Sequence, residues 1–237
     1  MHSIKRTILV TGSSSGIGLA VAEQLLEQGH TVLGVARCAT QVLSQYPLFV
    51  PITLDLSQLD GLPQKAKTIQ QSHPAIDAVI FCAGMGQFGS IEEFSYEQID
   101  ALITLNFTRQ VYLTKALLPD LKRKNHSDLI YIGSEAALKG SRKGAMYCAS
   151  KFALRGFTQA LREDCSKSNV RVSLINPGMV KTPFFDELSF EPGDHASNSI
   201  NPEDVAEAVV YVLTSPTNLV IDEINLSPLN KVVKFKK

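Results

Sequence analysis

The sequence predicts a doubly wound α/β domain, a mostly parallel seven-stranded sheet with helices on both faces. Three observations carry this expectation. Short apolar runs alternate with longer amphipathic stretches from end to end, the βαβα rhythm that right-handed crossovers assemble into a parallel sheet. Most of the short runs are continuous Val/Ile/Leu rather than alternating, as in strands buried on both faces. The 237 residues, 44% of them hydrophobic, suit one core, so 1–237 reads as a single domain.

The strand-like runs are 7–10, 31–35, 49–54, 78–81, 129–132, 170–175 and 219–226. A helix over 17–28 joins the first two and stops at Gly29, suited to the left-handed position after a helix end. Ser95-Tyr96-Glu97-Gln98 reads as a capping box opening a long helix over 96–121, toward Pro119. A second long helix spans 145–166, and Asn201-Pro202 supplies an N-cap and first-turn proline for a helix to Leu213. Residues 181–200 carry Pro183, Pro192 and Gly193 and no clear period. They follow the sixth strand at the carboxyl edge, where α/β folds bind ligands, and are expected to form a substrate lid.

Composition excludes several classes. The 23 basic residues balance the 23 acidic ones, so no general charge excess points to nucleic acid. Cys38, Cys82, Cys148 and Cys165 have no C-x-x-C spacing and lie in or beside apolar stretches. Buried reduced thiols and a cytoplasmic location are expected. His2, His30, His73, His126 and His195 are scattered, without metal-ligand spacing, and no metal is expected. No signal peptide is expected at the start, and no apolar stretch approaches the roughly 20 residues that span a bilayer. The basic tail 231–237 reads as a solvated terminus.

Two segments carry chemistry. In Thr11-Gly12-Ser13-Ser14-Ser15-Gly16-Ile17-Gly18, Gly12 follows a strand and Gly16 and Gly18 open a helix. Phosphates need a backbone approach free of Cβ atoms, and helix N-terminal amides attract them. The second strand ends at Gly34-Val35-Ala36-Arg37, with no acid before Asp55 to accept ribose hydroxyls. Arg37 can pair with a 2′-phosphate, and Ser13 or Ser14 can assist. NADP(H) is therefore expected ahead of NAD(H), which stays open. In the second segment Tyr147 and Lys151 stand four apart, on one helix face. A free tyrosine titrates at about 10, and an ammonium nearby lowers that value. Ser134, just past the fifth strand, can hold a substrate oxygen.

With these motifs in this order, the chain resembles the short-chain dehydrogenase/reductase family from end to end, in its single-domain Tyr-x-x-x-Lys form with a Rossmann-type fold. Asn176-Pro177-Gly178-Met179-Val180-Lys181-Thr182 is a further match. The resemblance implies that Tyr147 is the general acid/base, that Ser134 orients the carbonyl, and that Lys151 binds the nicotinamide ribose and tunes Tyr147. It implies that Asn106 holds a water feeding a proton relay, that Asp55 contacts the adenine, and that Thr182 meets the nicotinamide end. Gly12, Ser13, Ser14, Gly16, Ile17, Gly18, Arg37, Leu56, Ala83, Gly84, Pro177, Gly178 and Val180 complete the implied cofactor set.

Three departures stand out. The family's usual Asn-Asn-Ala-Gly is Phe81-Cys82-Ala83-Gly84 here, which removes both amides while still permitting close cofactor approach. The glycine often found three residues after the helix asparagine is Arg109. The end, Asp222-Glu223-Ile224-Asn225-Leu226-Ser227-Pro228, lacks the common Asp-Gly-Gly and looks more like the broad-range carbonyl and hydroxy-amino-acid reductases.

Phe184, Phe185, Leu188 and Phe190 of the lid, with Met85 and Phe88, either line a pocket for an apolar ketone or aldehyde or pack on the scaffold. In relatives the two long helices pair across a two-fold axis, which implies a homodimer or homotetramer. The leading expectation is hydride transfer between nicotinamide and a small carbonyl or secondary alcohol. A catalytically silent dinucleotide sensor is the alternative, disfavoured by the intact Ser134, Tyr147 and Lys151. A sugar-nucleotide epimerase or dehydratase would need a larger substrate domain.

Overall fold

The computed structural model describes residues 5–38 and 41–236; His2 and Lys237 lie outside them. The first half runs β1 (Thr7–Thr11), α1 (Gly16–Glu27), β2 (Thr31–Ala36), β3 (Phe49–Thr53), α2 (Leu62–Ser72), β4 (Ala78–Phe81) and α3 (Tyr96–Ile103). Then come α4 (Arg109–Leu121), β5 (Ser127–Ile132), α5 (Ala145–Asp164), β6 (Val170–Pro177) and β7 (Phe190–Pro192). The chain ends with α6 (Pro202–Thr214), β8 (Glu223–Leu226) and β9 (Val233–Phe235).

Seven strands form one parallel sheet in the order β3-β2-β1-β4-β5-β6-β8. The order reverses between β1 and β4, which opens a crevice at their carboxyl ends. Pro51 lies within β3, where the missing N–H is tolerated because β3 is an edge strand. Successive residues of each strand feed opposite layers. Ile8, Val10, Val32, Ile80, Ile130 and Ile175 pack with α1 and α6, while Leu9, Leu33, Val79, Leu129 and Val172 pack with α2, α4 and α5. This two-sided burial is why the strands read as unbroken apolar runs.

Several expectations are corrected. The long helix over 96–121 is broken by a π-helical turn at Thr104–Thr108, where Asn106 bonds sideways to other segments instead of leaving the α ladder unperturbed. The last strand of the main sheet covers only Glu223–Leu226, because the Leu219 amide closes a turn onto Pro216 and the Leu219 carbonyl accepts from Arg171. The basic tail is not a free terminus. Its residues 233–235 form β9, antiparallel to β7 in the 181–200 segment. Cys38 is exposed, two residues past β2, while Cys148 and Cys165 are buried; all four cysteines are free thiols. Among the described residues, no helix is long and apolar enough to cross a membrane.

The edge of the sheet opposite the crevice is tied by charge. Asp128 on β5 is buried and accepts from Arg6 Nη1 at 2.5 Å and Arg171 Nε at 2.7 Å, with His126 Nε2 at 3.1 Å. Arg171 also donates to the carbonyls of Val212, Ser215, Pro216 and Leu219, closing the carboxyl end of α6. Burial alone would raise the Asp128 pKa, but the bonds from His126 and Arg171 and the charge of Arg6 bring it below the usual value. Asp128 thus contributes stability that is complete above the ordinary carboxylate range and fades as pH falls through its lowered folded value. Asp128→Asn leaves the buried Arg171 guanidinium without a carboxylate, while Arg6 keeps Asp77 at 3.1 Å, and is expected to cost about 3–5 kcal/mol near neutrality. Urea denaturation measured from pH 7 down to pH 3 checks this, with the gap between variant and wild type closing at the acid end.

Candidate active site

The carboxyl ends of β1, β4, β5 and β6 converge at the crevice, where side chains of β1, β4 and β6 tie neighbouring strands together. Thr11 closes β1. Its hydroxyl accepts from the amides of Cys82 and Ala83 at 3.1 and 3.2 Å, beyond β4. Thr11 thereby supplies a bridge where Phe81-Cys82 has no side-chain amide; the Phe81 ring instead stacks on Tyr131 at 4.4 Å, nearly parallel. Asn176 ties β5, β6 and β8 together. Its Oδ1 accepts from the Ser134 amide at 3.2 Å, and its Nδ2 donates to Glu223 at 2.8 Å and Asn225 at 3.0 Å. A Cβ on Gly133 would lie 2.1 Å from that Oδ1, so only glycine admits the contact.

The glycine loop runs from β1 into α1. Gly12 and Gly16 have positive φ, and a Cβ on Gly18 would fall 2.2 Å from the Gly12 carbonyl oxygen. The Gly12 amide donates to Val35 at 2.8 Å, which seats the loop against the end of β2. Ser15, the residue capping α1, makes no side-chain cap bond, so the first-turn amides around Ile17 face outward without a side-chain acceptor. Ser14 is exposed, as an assisting hydroxyl must be. Ser13 differs: its hydroxyl is buried, unpartnered and turned toward Gly34. Arg37 is exposed just past β2. Asp55 follows β3, its carboxyl held below the usual range first by its bonds with Ser57 and then by the charges of Arg37 and Arg109. Leu56 beside it is buried.

The four expected catalytic residues gather on the other side of the crevice. Tyr147 and Lys151 occupy the first two turns of α5, with Lys151 Nζ 5.8 Å from the Tyr147 ring centre. Ser134 Oγ accepts from the Ala136 amide at 3.1 Å, and the side chain lies near enough to Tyr147 to favour its charged form. Lys151 Nζ donates to the Ile132 carbonyl at 3.2 Å. Asn106, in the π-helical turn, clamps the Met85 backbone through both its Oδ1 and its Nδ2, each at 2.9 Å, and donates to Ser150 at 3.1 Å. Its carbonyl accepts from Gln110 at 2.8 Å. Gly84 lies between Asn106 and Lys151, where a Cβ would come within 3.2 Å of Asn106 Oδ1.

Burial dominates the electrostatics. It pushes the Tyr147 pKa up to about 12, against a smaller opposing influence of Ser134, and draws Lys151 down to about 8. The expected lowering of Tyr147 by the Lys151 ammonium is not found in the chain by itself, where burial raises the phenol instead. Cys82 beside them is also pushed up to about 12 by burial and stays a thiol at neutral pH.

Pro177 ends β6, and the Gly178 amide donates to Leu226 at 2.8 Å. Val180 pairs with Ile200, while Thr182 packs against Gly16 across the crevice. From here the 181–200 segment folds over Tyr147. Phe88 lies 4.9 Å from the Tyr147 ring, Phe184 lies 5.9 Å from it, and Phe190 meets Phe88 edge-on at 4.9 Å. The tail holds this segment: Lys236 donates to Phe185 and Asp186 carbonyls, Lys234 pairs with Asp194, and Lys231 pairs with Glu135 next to Ser134. Sequence reasoning missed the strand-end roles of Thr11 and Asn176, although both lie in segments it singled out. The tail strand it missed outright, for 233–235 is too short to carry a period.

Residues 6–192 match the profile of the short chain dehydrogenase family. The chain is 31% identical over 228 residues to an uncharacterised oxidoreductase of Staphylococcus aureus (strain MRSA252), covering 93% of this chain and 96% of the relative. Among solved structures, it is similar to the closed form of a serine dehydrogenase complexed with NADP+ (27% identity, 93% and 94% coverage, TM-score 0.80). It is also similar to an alcohol dehydrogenase of the archaeon Thermococcus sibiricus complexed with 5-hydroxy-NADP (25% identity, 97% and 99% coverage, TM-score 0.85).

The strand-end bridge is testable by itself. Thr11→Val keeps the shape and removes the acceptor, leaving the Cys82 and Ala83 amides unsatisfied at a cost of about 1–3 kcal/mol each. Denaturant unfolding is expected to show a total loss of about 2–6 kcal/mol for the two amides.

Proposed function

The chain belongs to the short-chain dehydrogenase family, and from that premise we propose an NADP(H)-dependent oxidoreductase acting on a carbonyl or secondary alcohol, with Tyr147 as general acid/base. The observation that carries the reading is Ser134 beside Tyr147, close enough to lower the phenol's pKa, with a buried Lys151 one helical turn away and a glycine loop at the end of β1. The cradle fits a dinucleotide: side chains are excluded at Gly12 and Gly18, the first turn of α1 has free amides, and Gly84 leaves space beside Lys151. In this reading Gly12, Ser14, Gly16, Ile17 and Gly18 hold the phosphates, and Arg37 takes the 2′-phosphate. Asp55, Leu56 and Ala83 border the adenosine, and Lys151, Pro177, Gly178, Val180 and Thr182 hold the nicotinamide half. When bound there, the nicotinamide supplies or accepts the hydride.

The chain's own residues complete the chemistry. Ser134 donates to the substrate oxygen and holds it against Tyr147. A tyrosine whose pKa is pushed up to about 12 is fully protonated at pH 7, so in reduction it stands ready to give its proton to that oxygen as negative charge develops. Lys151, drawn down to about 8, is an ammonium at neutral pH and stabilises the phenolate left behind. Phe88, Phe184 and Phe190 exclude water from the reacting oxygen and favour an apolar ketone or aldehyde.

Tyr147→Phe deletes one hydroxyl and keeps the ring. Turnover is expected to fall by about 10³–10⁴, the upper part of the general-acid range, with NADPH binding nearly unchanged. A panel of ketones, aldehydes and alcohols followed by reduced-nicotinamide absorbance tests this, and a variant within a few-fold of wild type sinks the assignment.

Arg37→Ala is expected to weaken NADPH binding by roughly ten- to a hundredfold, about 1.5–3 kcal/mol for a charge-assisted contact, with NADH barely affected. Equal NADPH affinity in both proteins removes Arg37 from the cofactor set.

A further inference from the structure

Arg109 opens α4 three residues after Asn106, and only 2% of its surface is exposed. The positions one and two turns further along the same helix face are Leu113 and Leu117, both buried in the apolar core. A guanidinium has five N–H donors. Here Nη2 donates to the Ser57 carbonyl, while Nε and Nη1 are buried without an acceptor. Burial pulls the Arg109 pKa down and the Asp55 carboxylate opposes the fall. For the chain alone this is a poor arrangement, since a buried cation keeps its charge with few partners, a cost that an apolar side chain of similar volume avoids.

What the side chain reaches is the turn after β3. Asp55 Oδ1 accepts from the Ser57 amide at 2.7 Å, and Ser57 gives its carbonyl to Arg109. Asp55 feels the charges of both Arg37, past the end of β2, and Arg109, on α4. The acid of this corner is therefore flanked by two cations from different elements, one exposed and one buried. An uncompensated carboxylate here would repel an additional phosphate on the adenosine.

We propose that Arg109 is a positioning residue for the adenosine half of the dinucleotide: it anchors the turn 55–57 through Ser57 and offsets the charge of Asp55, so that Arg37 can receive a 2′-phosphate. The inference rests on the NADP(H) reading above. It assigns a use to a side chain that otherwise only destabilises the core, and it separates anchoring from contact, since Arg109 acts through Ser57 and Asp55.

The test measures binding rather than turnover. Arg109→Met keeps the length and apolar stem and removes the charge; Arg109→Gln keeps a donor for Ser57 and serves if the methionine variant does not fold. NADPH and NADH are titrated by the enhancement of their own fluorescence, and 2′,5′-ADP by calorimetry, beside the melting temperature of the ligand-free chain. The expected result is a rise of fivefold or more in Kd for NADPH and 2′,5′-ADP, a smaller rise for NADH, and an unchanged or higher melting temperature. A rise below fivefold for 2′,5′-ADP, or an equal loss for NADPH and NADH with a lowered melting temperature, overturns the inference and leaves Arg109 a packing residue. If the wild type binds neither dinucleotide, the NADP(H) reading falls and takes the inference with it. If the wild type binds NADPH and the variants bind 2′,5′-ADP equally well, only the role of Arg109 falls.

Discussion

Parallel strands end together, and that constraint shapes everything at the crevice. Each strand of the sheet finishes at the same edge, where the ladder stops and backbone groups lose their partners. Side chains take over there: Thr11 for the amides past β4, Asn176 for the start of the Ser134 turn, Asn106 for Met85, Lys151 for the Ile132 carbonyl. These bonds fix the backbone from which Ser134 and Tyr147 project. The edge that most needs satisfying thus becomes the edge best able to hold side chains in one geometry, which is what a preorganised site requires. The opposite edge solves the same problem with charge, through Asp128 and Arg171.

Burial then sets the protonation states. Tyr147 and Lys151 leave water together, and each is pushed toward its neutral form: the phenol upward, the ammonium downward. The rise at Tyr147 extends the phenol range, while the fall at Lys151 brings the upper limit of the phenol-plus-ammonium window down to about 8, and neutral pH remains inside it. Glu135 adds to the rise at Tyr147, and Lys231 pairs with that carboxylate. The tail therefore acts on the electrostatics of the site as well as on its cover.

Much of this was legible in the sequence, and the reasons are local. Continuous apolar runs reported a sheet buried on both faces, and Gly12, Gly16 and Gly18 reported a loop that side chains would block. The i, i+4 spacing of Tyr147 and Lys151 follows from helix geometry alone. What escaped depends on partners far along the chain. The π-helical turn at Asn106 arises from bonds to Met85 and Ser150, 21 and 44 residues away. Ser13 reads like Ser14 in sequence, but Gly34 on the neighbouring strand leaves room for its hydroxyl to turn inward. Position 109 breaks the apolar stripe of α4, and a stripe cannot tell what its exception reaches.

The 181–200 segment and the tail cover Tyr147 through contacts of two kinds. Phe88, Phe184 and Phe190 pack around Tyr147 through apolar contact, which is non-directional and survives small shifts. The tail is held differently, by three backbone-paired residues and by partly exposed lysine bonds that salt screens. Phe190 meets Phe88, which lies against Tyr147, and is paired directly with Phe235 on β9. That register ties the aromatic cover over Tyr147 to the tail strand.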